Sequence, residues 1–311
     1  AAFTALEPLP GDMRVALVAL VVLLAGCPAV GGPGEPTTTI TPAPVPQDRS
    51  YPPGIGPAGV EDAGALGTTH SDLLDDTSYT IVSNRTIRTR NGSLRSLLAV
   101  RVALSSDRSY HVTARTAGEA GPVFMGLPPA RGEYWSNGTV YVRLLERDDR
   151  RLVNRFEPPD NFVGTWRYWR STVAFGGGAS FDQETVGTLF ESVPTRLAGN
   201  RTSNGTTLYV LEGDRAVDTD FAKVGTGPVS NVSLSATVSQ DGIVRSFDLT
   251  YDRRMDGSLV RVHWRLRYVD IGSTAVDQPP WVAEALATVD AGNRSAASAR
   301  AVPVPEATQG G

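Results

Sequence analysis

Cys27 is the only cysteine of the chain, and the residues before it point to one reaction, attachment of a lipid to its sulfur. Arg14 is a minimal positive n-region, Val15 to Leu24 form a ten-residue apolar stretch, and the small residues Ala25 and Gly26 follow. This is the layout of an export signal opening at Met13. Its Leu-Ala-Gly-Cys ending resembles a lipobox, in which the cysteine is lipidated and becomes the new N-terminus. The alternative is an ordinary signal peptide followed by a chance cysteine. The apolar run is well short of the ~20 residues that a bilayer-spanning helix needs, so a simple membrane anchor fits poorly. No twin arginine precedes the run, which favours the general secretory route.

Elsewhere the side chains capable of chemistry are scattered. His70, His111 and His263 are isolated, and none lies within metal-ligand spacing of another histidine or of the cysteine, so no metal is expected. His70 falls on the apolar side of a helical stretch and reads as a packed or cavity-lining residue. His263 alternates with arginines and reads as solvated. Asp75-Asp76, Asp148-Asp149 and the pair Asp218 and Asp220 offer oxygens of the kind calcium takes, but at loops and element ends solvated charge is the plainer reading. Gly176-Gly177-Gly178 precedes a helix, a place where anions bind; without the spacing of a phosphate fingerprint, a flexible hinge fits better. No G-x-S-x-G elbow, P-loop or thiol nucleophile occurs. No catalytic residue and no cofactor are therefore expected, and the chain reads as a non-enzyme.

Seven of the nine asparagines open an Asn-x-Ser/Thr sequon: Asn84, Asn91, Asn137, Asn200, Asn204, Asn231 and Asn293. That exceeds chance and suggests an externally displayed, N-glycosylated protein. Asn-Gly turns followed by Ser or Thr account for Asn91, Asn137 and Asn204, but not for the rest. The net charge of −4 gives no nucleic-acid footprint. Lys223 is the single lysine beside 28 arginines, a pattern attributed to codon composition.

Composition divides the chain. Residues 1–12 carry Glu7 and Asp12, suit no n-region, and are expected to be translated from upstream of the natural start. Residues 13–27 are the signal. Residues 28–58, rich in Pro, Gly and Thr, cannot bury enough surface to offset their ordering entropy and read as a disordered tether. Residues 59–286 form one β-rich domain, and 287–311 a disordered tail.

Five Xaa-Gly pairs separate apolar, β-branched runs: Asn91-Gly92, Asn137-Gly138, Asn204-Gly205, Asp241-Gly242 and Asp256-Gly257. They are strong hairpin markers, because type I′ turns need positive φ at both positions. Taken as two-residue loops, they set registers. Tyr251 faces Val262, Leu249 faces Trp264 and Phe247 faces Leu266, while Asp252 meets Arg261 and Asp248 meets Arg265 on the other side. The turn at 241–242 places Val232, Leu234 and Ala236 opposite Tyr251, Leu249 and Phe247. Both turns put the same side of strand 244–252 toward the apolar face, and a one-residue slip would invert it. The result is an antiparallel meander over 229–269, with Arg261, His263, Arg265 and Arg267 on its wet face. In the N-terminal half Tyr79, Ile81 and Ser83 face Leu104, Val102 and Val100, and Trp135 and Tyr134 face Val140 and Tyr141. A further strand covers 108–115.

The fold class is mainly β (α+β): nine to eleven antiparallel strands in a large curved sheet or incomplete barrel, with two or three helices packed at its concave face. The first helix, about 61–75, presents Ala63, Leu66, His70, Leu73 and Leu74. The second, 181–193, opens with Ser180 and Gln183 in capping-box spacing and buries Val186, Leu189, Phe190 and Val193 before Pro194. Gln278 to Leu286 reads as a short closing helix or turn. Trp166, Tyr168 and Trp169, interleaved with Arg167 and Arg170, read as core and rim packing. The alternative is a mobile lip at a cavity mouth, hinged at Gly176 to Gly178.

The order of lipobox, Pro/Thr-rich tether, leading helix, hairpin strands, mid-chain helix, Asp241-to-Ser246 hairpin and closing Gly272-Ser273-Thr274…Pro279-Pro280-Trp281 resembles envelope lipoproteins of the LolA/LppX-like superfamily. With its Tyr51-Pro52-Pro53-Gly54 opening it is closer still to a set of haloarchaeal lipoproteins of unknown function. The resemblance covers about 51–286. It implies a half-open barrel whose apolar concavity holds lipid chains, and it carries over no catalytic residue. The cavity wall expected from strand alternation and helix faces comprises Leu234, Phe247, Leu249, Tyr251, Val262, Trp264, Leu266, Leu66, His70, Leu73, Val186, Leu189 and Phe190.

The function expected is that of a monomeric, lipid-anchored binding protein on the outer face of the cell membrane, holding a lipid or other hydrophobic ligand without catalysis. The alternative is a structural or interaction glycoprotein of the envelope, with a filled core and protein partners.

Overall fold

Turn stereochemistry sets the architecture. The computed structural model describes residues 51–156, 165–169, 183–203, 205–218 and 228–287, all within one compact unit, Ser50–Gly311. Asp256 and Gly257 both adopt positive φ, 48° and 77°, so Met255 pairs with Ser258 across a two-residue loop. Every pair expected along that hairpin is present: Tyr251 with Val262, Leu249 with Trp264, Phe247 with Leu266, Asp252 with Arg261 and Asp248 with Arg265. Ser203 likewise pairs with Thr206 around 204–205.

The other turns depart from the two-residue pattern in instructive ways. At 91–92 and 241–242 the turn gains a residue, closed by Thr89 N–H to Ser93 O and Ser239 N–H to Ile243 O. A register shift next to each turn then restores the expected pairing, as Ile81 with Val102 and Leu234 with Leu249. A second shift between Ser230 and Ser233 removes Val232 from the ladder, so the expected pairing with Tyr251 does not form. At 137–138 the loop has four residues, and Ser136 faces Tyr141 while Trp135 faces Val142. The cause is the Asn137 side chain, whose Oδ1 accepts from the N–H groups of both Thr139 (3.1 Å) and Val140 (3.0 Å) and holds the chain in an Asx turn. The slip is by two residues, so no side chain changes face.

A two-residue pair, β1 (Ile55–Gly56) with β2 (Gly59–Val60), leads into helix α1 (Ala63–Asp75). Six strands follow: β3 (Tyr79–Thr89), β4 (Leu94–Leu104), β5 (Tyr110–Ala117), β6 (Ala130–Ser136), β7 (Tyr141–Arg147) and β8 (Arg150–Arg155). After helix α2 (Gln183–Ser192) come β9 (Arg196–Ser203), β10 (Thr206–Gly213), β11 (Ser230–Ser239), β12 (Val244–Met255) and β13 (Ser258–Val269). Eleven strands form one antiparallel sheet in the order β8-β7-β6-β5-β4-β3-β13-β12-β11-β10-β9. The chain runs outward from the centre to β8, crosses to the far edge at β9, and returns to lie beside β3. The two edge strands do not pair with each other, so the sheet is open. At about 4.8 Å per strand a flat sheet of this size would be about 48 Å wide. Its inner face nevertheless forms one contiguous apolar cluster from Tyr134 on β6 to Leu211 on β10, as a curved half-barrel requires.

α1 is capped by Asp62, whose side chain accepts from Ala65 N–H at 2.8 Å. It buries Ala63, Leu66, Gly67, His70 and Leu74. Leu73 does not belong to this stripe: it lies beyond Leu66 at the stripe's edge, about 120° around the helix from Gly67 on the opposite edge, and is 39% exposed. α2 buries Val186, Leu189 and Phe190, with Val193 just beyond its end; Ser180 lies outside the described residues. The helical residues 281–287 pack on the opposite, outer face, where Val282 and Ala285 meet Trp135 and Val142. Trp281 Nε1 donates to Glu133 (2.9 Å) and Arg151 holds Glu284 at 2.7 and 2.8 Å.

Candidate functional site on the inner face of the sheet

Strand alternation sends the apolar side chains of β12 and β13 to one face, and α1 and α2 lie over that face. Leu234, Phe247, Leu249, Tyr251, Val262, Trp264, Leu266, Leu66, His70, Val186, Leu189 and Phe190 all belong to a single cluster or border it, none more than 3% exposed. Phe247 meets the Trp264 ring edge-on, centroids 4.7 Å apart. Trp264 Nε1 donates to Ser83 Oγ at 3.2 Å across the β13–β3 seam. Of the expected cavity wall, only Leu73 stands outside this surface.

Each helix is fixed at a definite place. His70 Nδ1 accepts from Val244 N–H at 3.2 Å, and its ring lies edge-on to Tyr268. This bond pins α1 to the end of the sheet where β12 begins and requires the proton on the other ring nitrogen. His70 is thus fully buried, its ring held between Val244 and Tyr268. Gly54, at φ +83°, lies so close to α1 that a Cβ there would stand 2.3 Å from Asp62 O.

A second aromatic group sits under the helical residues 165–169. Trp169 is buried against Tyr134, ring centroids 4.2 Å apart, with Phe124 and Tyr168 around it. Burial pushes the Tyr110 hydroxyl up to about 12, opposed by contacts with Thr165 and Trp169. Tyr134 is raised further by the same cause. Trp166, by contrast, lies at the rim between Arg108 and Arg167, 4.9 and 5.1 Å from its ring centroid. The proposed lip therefore divides into a core residue, Trp169, and rim residues, Trp166 and Tyr168. Gly176 to Gly178, Cys27, Asn204 and Asn293 lie outside the described residues.

Two inward arginines escaped the sequence reading. Arg253 continues the inward alternation of Phe247, Leu249 and Tyr251 and is 5% exposed. Arg85, on β3, faces the same way, with its guanidinium carbon 6.0 Å from the Trp264 ring centroid. Extending the alternation one step past Tyr251 would have found Arg253.

The outer face is polar. Arg261 forks onto Asp252 (2.7 and 3.1 Å) and Asn231 Nδ2 donates to the same carboxylate at 2.8 Å. These hydrogen bonds, Arg261 first, hold the Asp252 carboxyl below the usual range. Asp252→Asn should therefore lower stability by about 1 kcal/mol near neutral pH. A depressed folded pKa adds stability above the unfolded value and loses it as pH falls through the folded one. Melting curves of the two proteins should accordingly converge in acid. His263 Nε2 and Arg265 Nε share Asp248, at 2.8 and 2.7 Å. A groove of about 810 Å³ crosses this face, lined among others by Asn84, Arg88, Arg201, Arg265 and Arg267. Asn84, Asn91, Asn137, Asn200 and Asn231 are all exposed. Among the described residues, no three His, Cys, Asp or Glu side chains gather as a metal site, and no helix is long and apolar enough to cross a membrane.

The family profile that matches the chain, described as a family of unknown function (DUF7537), covers residues 13–285. No curated protein matches. Among solved structures the chain is similar to LprF from Mycobacterium bovis, with 9% identity, 72% of this chain and 99% of that chain covered, and a TM-score of 0.37. It is also similar to the lipoprotein LppX from Mycobacterium tuberculosis (10%, 70% and 98%, TM-score 0.36). A LolA superfamily protein from Nitrosomonas europaea matches at 10% identity over 70% of this chain and 94% of that one, with a TM-score of 0.23.

Proposed function

The chain belongs to DUF7537, a family of unknown function, and for it we propose the role of a lipid-anchored, extracytoplasmic binding protein that holds a hydrophobic molecule against the inner face of its open sheet. One observation carries the reading. The apolar inner face spans both halves of a sheet whose edges never pair, so helices and not strand closure keep it from water. An apolar surface covered by separable elements can exchange that cover for a ligand, at ~0.8 kcal/mol for each methylene buried. Cys27 supplies the anchor, and the exposed Asn84, Asn91, Asn137, Asn200 and Asn231 are positioned for glycans. The molecule acts without catalysis and without a cofactor.

The test is mass spectrometry of organic extracts from the full chain bearing Cys27→Ser, purified from the cells that make it. A stoichiometric lipid that is lost when Leu249 and Leu266 are both replaced by Gln, in a variant that still folds, supports the role. A ligand-free, stable protein overturns it. A second reading, an interaction glycoprotein with a filled core, draws on the complete burial of Leu249 and Leu266 and the Phe247–Trp264 contact.

A further inference from the structure

Arg253 is the least compensated charge of the inner face. It is 5% exposed, and its Nε and Nη1 are buried without a hydrogen-bond partner. Among the described residues no carboxylate lies within ion-pair distance of it. Its sequence neighbour Asp252 points to the outer face by alternation and is engaged by Arg261 and Asn231. Burial pulls the Arg253 guanidinium below its ordinary pKa; Tyr251 opposes this, and the like charge of Arg85 adds to it. A buried cation without a counter-charge is costly, and native structures supply the partner.

The surroundings indicate what kind of partner. From Arg253 the inward positions run Tyr251, Leu249, Phe247, an apolar strip whose last residue lies about 20 Å along the strand from Arg253. The strip leads toward Val244, where His70 fastens α1. Trp264, with Arg85 beside its ring, flanks the strip one strand away. A guanidinium fork at one end of an apolar track matches a molecule with an oxyanion at one end and a hydrocarbon chain behind it.

We infer that Arg253 is the seat for the anionic head group, a phosphate, sulfate or carboxylate, of an amphiphile whose chain lies along Tyr251, Leu249 and Phe247. This rests on the reading of the inner face as a ligand site. Arg85 adds positive potential beside the seat.

Binding of hexadecyl phosphate, hexadecanol and inorganic phosphate to the full Cys27→Ser chain tests the inference, with the amphiphiles kept below micelle formation. The unmodified site should bind hexadecyl phosphate at least about tenfold more tightly than hexadecanol. Arg253→Gln should abolish that preference and leave hexadecanol binding unchanged. Arg253→Met should raise or hold the melting temperature of the ligand-free protein, since it removes an unpaired buried charge. A preference that survives Arg253→Gln overturns the head-group seat alone. Inorganic phosphate binding as tightly as hexadecyl phosphate reassigns the seat to a free anion. A marked fall in melting temperature for Arg253→Met shows a structural arginine and also overturns the seat. Failure of both amphiphiles to bind overturns the inner-face ligand reading itself.

Discussion

Trp169→Ala is expected to destabilise the fold by about 3–5 kcal/mol, while Trp166→Ala costs about 1 kcal/mol. The two residues are three apart in one aromatic-basic stretch, yet they stand in different environments. Trp169 is 1% exposed and packs at a tilt against Tyr134 with Phe124 and Tyr168 around it. Its removal leaves a void that these rings cannot all fill. Trp166 loses contact with the arginines on either side, and its space opens to water. Urea unfolding of the two variants measures the difference. Equal, small losses would mean that the cluster is a loose lip and not part of the core.

Leu249→Ala carries the second large effect and also distinguishes the two functional readings. Leu249 is fully buried, with Leu234 and Trp264 as its cross-strand neighbours. In a rigid, filled core the substitution costs both the transfer of the lost atoms and the cavity left behind, about 2–5 kcal/mol. A denaturation midpoint corresponding to the upper half of that range favours the filled core. A loss near the lower end in the ligand-free protein means that Leu249 already borders space that a ligand can use. A loss below about 1 kcal/mol would contradict the packing itself.

Local chemistry made much of the fold legible. The period-two alternation in 244–266 and the positive-φ turn at 256–257 fix which side chains share a face, and the pairing of Leu249 with Trp264 follows from residues at most 15 apart. Errors arose where a side chain intervened, as when Asn137 captured two backbone N–H groups and lengthened its loop. Leu73 failed for a related reason, since a stripe read by spacing has a rim that only the packed neighbours define.

Turns, alternation and helix faces are written in residues a few positions apart, and for these the sequence was sufficient. The pairing of β3 with β13 joins Ile81 to Tyr268, and no local pattern announces a partner so distant. That seam makes one sheet of two meanders and leaves β8 and β9 as free edges. Helical residues 281–287 lie on the outer face of that sheet and α1 on the inner one. The burial of Arg253 was decided at the same level. Its inward direction follows from alternation, but only the assembled sheet and the elements over it remove a cation from water.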